Sequence, residues 1–152
     1  VAPAFQNFAR GACQLKFSAG DGYGGVMLLL RFDEGTGAAS DDMSAATLES
    51  LDHFVSTLPG LSGITAAHFG FSRPEITDIE TNEKQARAGT GEARFDSVMM
   101  IEACDAAQLA GHATAILANL KSIGLPAENA RYGFYDLSYL LTKRTTEVPN
   151  RH

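Results

Sequence analysis

Apolar and polar positions follow two different periods along this chain, and the switches between them mark its elements. Val26-Met27-Leu28-Leu29-Leu30-Arg31-Phe32 is a nearly continuous apolar run, the pattern of a strand covered on both faces. Asp33-Glu34-Gly35-Thr36-Gly37 ends it, and Ser40-Asp41-Asp42 offers capping oxygens and negative charge for a helix N-terminus. Leu48, Leu51, Phe54, Val55 and Leu58 then recur at spacings of three and four, predicting one apolar helix face up to the Pro59-Gly60 break. Period two returns from Ile64 to Phe71. Ile64, Ala66, His68 and Gly70 share one face of that predicted strand; Thr65, Ala67, Phe69 and Phe71 share the other. Phe95 to Ala103 alternates in the same way, with Asp96, Val98, Met100 and Glu102 together on one side. Asp105 and Gln108 resemble a capping box, and Leu109, Ile116, Leu117, Leu120 and Ile123 make a second helical face stopped by Gly124 and Pro126. An aromatic, β-like stretch from Ala130 to Leu141 completes the pattern.

The remaining segments are less regular. Phe5, Phe8, Ala12 and Phe17 are spaced nearer helix than strand, predicting a short amphipathic piece from Ala4 to Leu15. Gly20 to Gly25 holds four glycines in six residues and reads as a flexible connector. It precedes a strand, so it lacks the helix N-terminus on which a phosphate loop depends. Residues 72–93 are polar and long for a connection: either an extended hairpin, with Glu75 to Ile79 prolonging a strand, or a flap. The expected division is an N-terminal extension (1–24), one domain (25–142) and a C-terminal tail (143–152).

Strand, helix, strand, strand, helix, strand is the ferredoxin-like split βαβ order, an α+β fold with a four-stranded antiparallel sheet and both helices on one face. The other sheet face would then carry Met and aromatic side chains, a large apolar patch unless something covers it. A second subunit pressed sheet against sheet is the economical cover.

The run Val26 to Phe32, the Leu58-Pro59-Gly60 junction leading into Ile64-Thr-Ala-Ala-His-Phe, and the strand from Phe95 to Asp105 resemble the dimeric α/β-barrel superfamily. That group includes EthD-like, muconolactone-isomerase-like and antibiotic-biosynthesis-monooxygenase-like proteins. The resemblance covers about residues 25–142 and lies in element order rather than in a motif. It implies a homodimer with a pocket in each subunit. It also implies a choice among isomerase, cofactor-free oxygenase and haem-dependent lyase chemistry, or none. Many relatives carry Trp-Tyr and a following His on the first helix; this chain has no Trp, and its nearest equivalent is Leu51-Asp52-His53.

Composition narrows the classes. With Lys+Arg 12 against Asp+Glu 18, the net charge of −6 disfavours nucleic-acid binding, which needs clustered cations. No apolar run approaches membrane-spanning length. The chain starts at Val1 without signal-peptide character, so a cytoplasmic location is expected, with a trimmed targeting segment left open. Cys13 and Cys104 lie far apart and are expected to be reduced thiols rather than a disulfide. No Cys/His cluster has metal-site spacing, and no Gly-x-Ser-x-Gly elbow announces a hydrolase.

Candidate chemistry centres on His68, a lone histidine in an apolar strand whose imidazole suits proton transfer to or from a small organic molecule. A core or interface histidine satisfied by a carbonyl is the plainer alternative. Asp96 or Glu102 would orient it or act as a base, and Tyr135 would donate a phenolic hydrogen bond. Arg31 is a candidate anchor for a carboxylate, with Phe69, Met100 and Tyr139 lining the substrate. No cofactor is predicted; a haem on His53 or His68 stays open. The competing function is a non-catalytic dimeric binding or assembly module.

Overall fold

Both long helices and four of five strands stand where apolar periodicity puts them. The computed structural model describes residues 11–77 and 94–138. In chain order the elements are β1 (Cys13–Ala19), β2 (Val26–Asp33), α1 (Ala45–Thr57), β3 (Ile64–Ser72), α2 (Pro74–Thr77), β4 (Phe95–Ala103), α3 (Ala106–Ile123) and β5 (Arg131–Asp136). The strands form one five-stranded sheet in the order β1-β3-β4-β2-β5, with every neighbouring pair antiparallel. This is an α+β architecture with one strand more than the four expected.

One sheet face is the core. Leu28, Leu30 and Phe32 of β2, Ala67, Phe69 and Phe71 of β3, and Met99, Ile101 and Ala103 of β4 pack there. Leu51 and Val55 of α1, Leu58 just beyond it, and Leu109, Ile116 and Leu120 of α3 close over them. Each of the larger side chains so buried contributes roughly 1.5–3 kcal/mol, and the alanines less. Both long helices therefore lie on the same face.

The helix ends follow capping chemistry. The N-cap of α1 is Ser44, whose Oγ accepts the Thr47 N–H at 3.1 Å. Ser40–Asp42, the expected cap, is a separate 3-10 turn, and Met43 is extended between the two. In α3, Asp105 Oδ1 accepts the Gln108 N–H at 2.9 Å. Gly124 closes that helix in the left-handed region at φ 105° and lets Leu125 N–H return to the Leu120 carbonyl at 3.0 Å, the 6→1 bond of a Schellman ending.

The N-terminal segment is the main correction. Residues 13–15, expected to be helical, begin a strand, and β1 runs on to pair with β3. Only Phe17 and Ala19 of β1 pack towards the core, too few positions to show period two in the sequence. Residues 1–10 lie outside the described residues. A second correction concerns Ile64: a register irregularity between Ile64 and Ala66 puts Ile64 in the core with Ala67 and Phe69, not on the His68 face. Beyond Ser72, Pro74–Thr77 is a helical turn rather than strand; residues 78–93 and 139–152 lie outside the described residues.

Cys13 and Cys104 are free thiols. Among the described residues no helix is long and apolar enough to cross a membrane.

Candidate functional site

Because strands are pleated, the residues between the core positions all point to the second sheet face. Cross-strand register orders them in rows. Ser18, His68, Met100, Leu29 and Gly133 form one row across β1, β3, β4, β2 and β5. Ala66, Glu102, Met27 and Tyr135 form the row on one side of it, and Leu15, Gly70, Val98, Arg31 and Arg131 the row on the other. A polar group thus sits at one end of a largely aliphatic surface.

His68 is the centre of that group. Its Nδ1 stands 3.0 Å from Ser18 Oγ, and its Nε2 stands 3.8 Å from Glu102 Oε1, with both side chains about one-fifth exposed at 21% and 22%. The Glu102 contact is too long for a hydrogen bond but close enough for ionic attraction. With the proton on Nε2, Nδ1 accepts from the Ser18 hydroxyl; in the other tautomer Nδ1 donates to it. Glu102 is itself held: its Oε2 accepts the Gly24 N–H at 3.0 Å. Gly24 is required for this approach, since a Cβ there would lie 2.6 Å from the Ala103 nitrogen and 2.9 Å from Glu102 Cβ. The glycine-rich stretch read as a connector is therefore the backbone that fixes the carboxylate.

Beside Glu102 a cavity of about 310 Å³ is lined by Tyr23, Gly24, Val26, Met27, Glu102, Tyr135, Asp136 and Leu137. Its volume falls at the lower end of small-ligand sites. Tyr135 is 56% exposed, and its ring lies along the strand over Gly133, whose hypothetical Cβ would be 3.2 Å from Tyr135 Cε2. Glu102 connects cavity and histidine; His68 is not itself among the lining residues.

The other expected residues divide between this site and elsewhere. Met100 stands directly opposite His68. Phe69 does not reach this face: it is fully buried against Phe32 and Phe71, at ring-centroid distances of 6.4 and 5.4 Å. Asp96 is at the far end of β4, where its Oδ2 accepts the Gly35 N–H at 3.0 Å. Burial raises its carboxyl above the ordinary value; the amides of Gly35 and Thr36 oppose this, and the charges of Asp42 and Glu34 add to it. It lines a separate cavity of about 240 Å³ with Glu34, Asp41, Arg94 and Phe95. Arg31 is also away from His68, its Nε donating to Asp33 Oδ1 at 2.8 Å, while Arg131 Nε donates to Asp33 Oδ2 at the same distance. Tyr139 lies outside the described residues. Ser18, Tyr23 and Gly24 are members of the site that residue pattern did not single out; the adjacency of a glycine-rich run to an apolar strand was their only trace.

The two helix histidines have local roles. His112 Nε2 reaches the Ser62 carbonyl at 3.1 Å, tying α3 to the turn before β3, and His53 is exposed beside a shallow groove between α1 and α3. Among the described residues no group of three His, Cys, Asp or Glu side chains is placed to hold a metal ion. No family model matches the chain, and neither a curated protein nor a solved structure matches it.

Proposed function

We propose that the second sheet face binds a small, largely apolar organic molecule and that the His68–Glu102 pair moves a proton on it. One observation carries the reading: a carboxylate held by a backbone N–H forms the wall of a cavity, with an imidazole 3.8 Å behind it. In this reading Glu102 is the group nearest the ligand, His68 is its proton partner, and Ser18 holds the imidazole ring. Met100, Leu29 and Met27 supply apolar contact.

The fold reading that accompanies it is ferredoxin-like: β2, β3, β4 and β5 with α1 and α3 have the βαββαβ order, and β1 is an added edge strand. The partly exposed apolar side chains of Leu29 and Met100 support a homodimer that covers the second face. Analytical ultracentrifugation at micromolar concentration tests this, and a monomeric mass would overturn it.

The test of the chemistry is His68→Gln and Glu102→Gln against a panel of small carbon acids and phenols. Loss of turnover of about 100-fold or more in both variants is expected for a general acid–base pair. Unchanged turnover in either variant would sink the proposal. A second reading, a non-catalytic binding module, draws on the fact that His68 does not line the cavity. It predicts ligand binding that survives both substitutions and no turnover in the parent chain.

A further inference from the structure

The lining of the cavity beside Glu102 has a definite chemical sense. Among the described residues its charged members are the carboxylates of Glu102 and the exposed Asp136, and no Lys or Arg lines it. Two aromatic rings, Tyr23 and Tyr135, stand with them, and the rest is Val26, Met27, Leu137 and the bare backbone of Gly24. The second-face arginines turn away, Arg31 and Arg131 both directing their Nε to Asp33; the basic group facing Glu102 is the His68 imidazole, 3.8 Å from its Oε1 on the side away from the cavity.

We propose that this cavity is a site for a small organic cation: an alkylated or primary ammonium group on a short apolar body. The inference rests on the reading that the cavity takes a small organic molecule, and it names the class. Three features converge on it. A carboxylate stripped of most of its water gains more from a cationic ligand than from any neutral one. Tyrosine ring faces attract alkylammonium groups through their quadrupole. The aliphatic walls accept methyl and methylene groups, which a strongly hydrated metal ion or an anion would not match. Glu102 is suited to be the counter-ion because Gly24 fixes one oxygen, so the other is held in place before the ligand arrives. An anionic ligand is disfavoured here by the same two carboxylates, which removes the carboxylate-anchoring role considered for Arg31 from this cavity.

Three probes of nearly equal size separate the possibilities: choline, its uncharged isostere 3,3-dimethylbutan-1-ol, and 3,3-dimethylbutanoate. Binding to the full chain is followed by NMR, reading the Met27 methyl and Tyr135 ring signals. Choline should bind at least about tenfold tighter than the alcohol, and the carboxylate should not move these signals. Glu102→Gln, which retains an acceptor for the Gly24 N–H, should weaken choline at least about tenfold and leave the alcohol unchanged. Tyr135→Leu should weaken choline several-fold, and Tyr135→Phe should restore it, since the ring face rather than the hydroxyl makes the contact. Equal affinity for choline and the alcohol overturns the cation assignment alone. Failure of all three probes to perturb Met27 or Tyr135 overturns both this assignment and the small-molecule reading beneath it. Choline shifts that persist in Glu102→Gln place binding elsewhere and also overturn the assignment.

Discussion

The two faces of the sheet are built from the same strands but answer to different forces. On the helix face the apolar side chains of β2, β3 and β4 pack into one core, and Leu30, Phe32, Phe69, Met99 and Ile101 are wholly buried. On the second face aliphatic groups are interleaved with His68, Glu102, Arg31 and Asp33, each of which has a named polar neighbour. The helix face is held by volume and the second face by direction. A packed hydrocarbon position tolerates a change of identity at similar size, whereas a charged group held at one distance does not.

The largest expected effect tests the volume side. Phe69→Ala should cost about 3–5 kcal/mol in urea unfolding, as deletion of a buried aromatic usually does. Met100→Ala, one residue along the same cross-strand ladder but on the second face, should cost only about 1–2 kcal/mol, the value of a half-buried chain. If the two losses were equal, the second face would be as closely packed as the first and the contrast between them would fail.

The next effect has the opposite sign. Ser97 faces the core side, is fully buried, and its Oγ has no hydrogen-bond partner among the described residues. An unsatisfied buried hydroxyl costs about 1–3 kcal/mol, so Ser97→Ala should raise the denaturation midpoint by about 1 kcal/mol of stability. A fall in stability would reveal an ordered water or an unrecognised acceptor at that position.

A smaller change sharpens the direction side. Ser18→Ala removes the contact to His68 Nδ1 and, for a partly exposed pair, should cost under about 1 kcal/mol. The imidazole ¹⁵N signals of His68 should nevertheless move clearly. Unmoved signals would mean that Ser18 does not orient the ring.

The smallest effect is in pH. Burial raises the Asp96 carboxyl above its ordinary value. Its stabilising contribution is therefore fully present below the unfolded-state value and is lost as pH rises through the folded-state one. Asp96→Asn should flatten that acid-side slope, visible in thermal scans between about pH 3 and 6. An unchanged slope would assign the pH dependence to other carboxyls.

How far the sequence discloses this arrangement differs between the faces. The core face was legible because the spacing of Leu51, Val55, Leu109, Ile116 and Leu120 is a helix period and that of Ala67, Phe69 and Phe71 a strand period. His68 and Met100 fell on one face by parity alone. Parity had already set Phe69 opposite His68, but it could not say which of the two faces becomes the core, since both faces of an apolar strand look alike in composition, and Phe69 is on the core side. The Glu102–Gly24 bond joins positions 78 apart in sequence, and no local pattern encodes such a pairing. β1 was missed for a related reason: an edge strand with two inward residues gains its order from β3, not from its own alternation.

Sheet order also governs when the molecule can be completed during synthesis. Among its neighbouring strands only β3 and β4 are consecutive in the chain. The apolar strand β2 is made before either of its partners, β4 and β5. Loop-closure entropy for such distant pairings slows folding, and an unpartnered apolar strand is prone to aggregate while it waits. Until β5 emerges one edge of β2 stays unpaired among the described strands, and truncation before Arg131 would leave that edge bare.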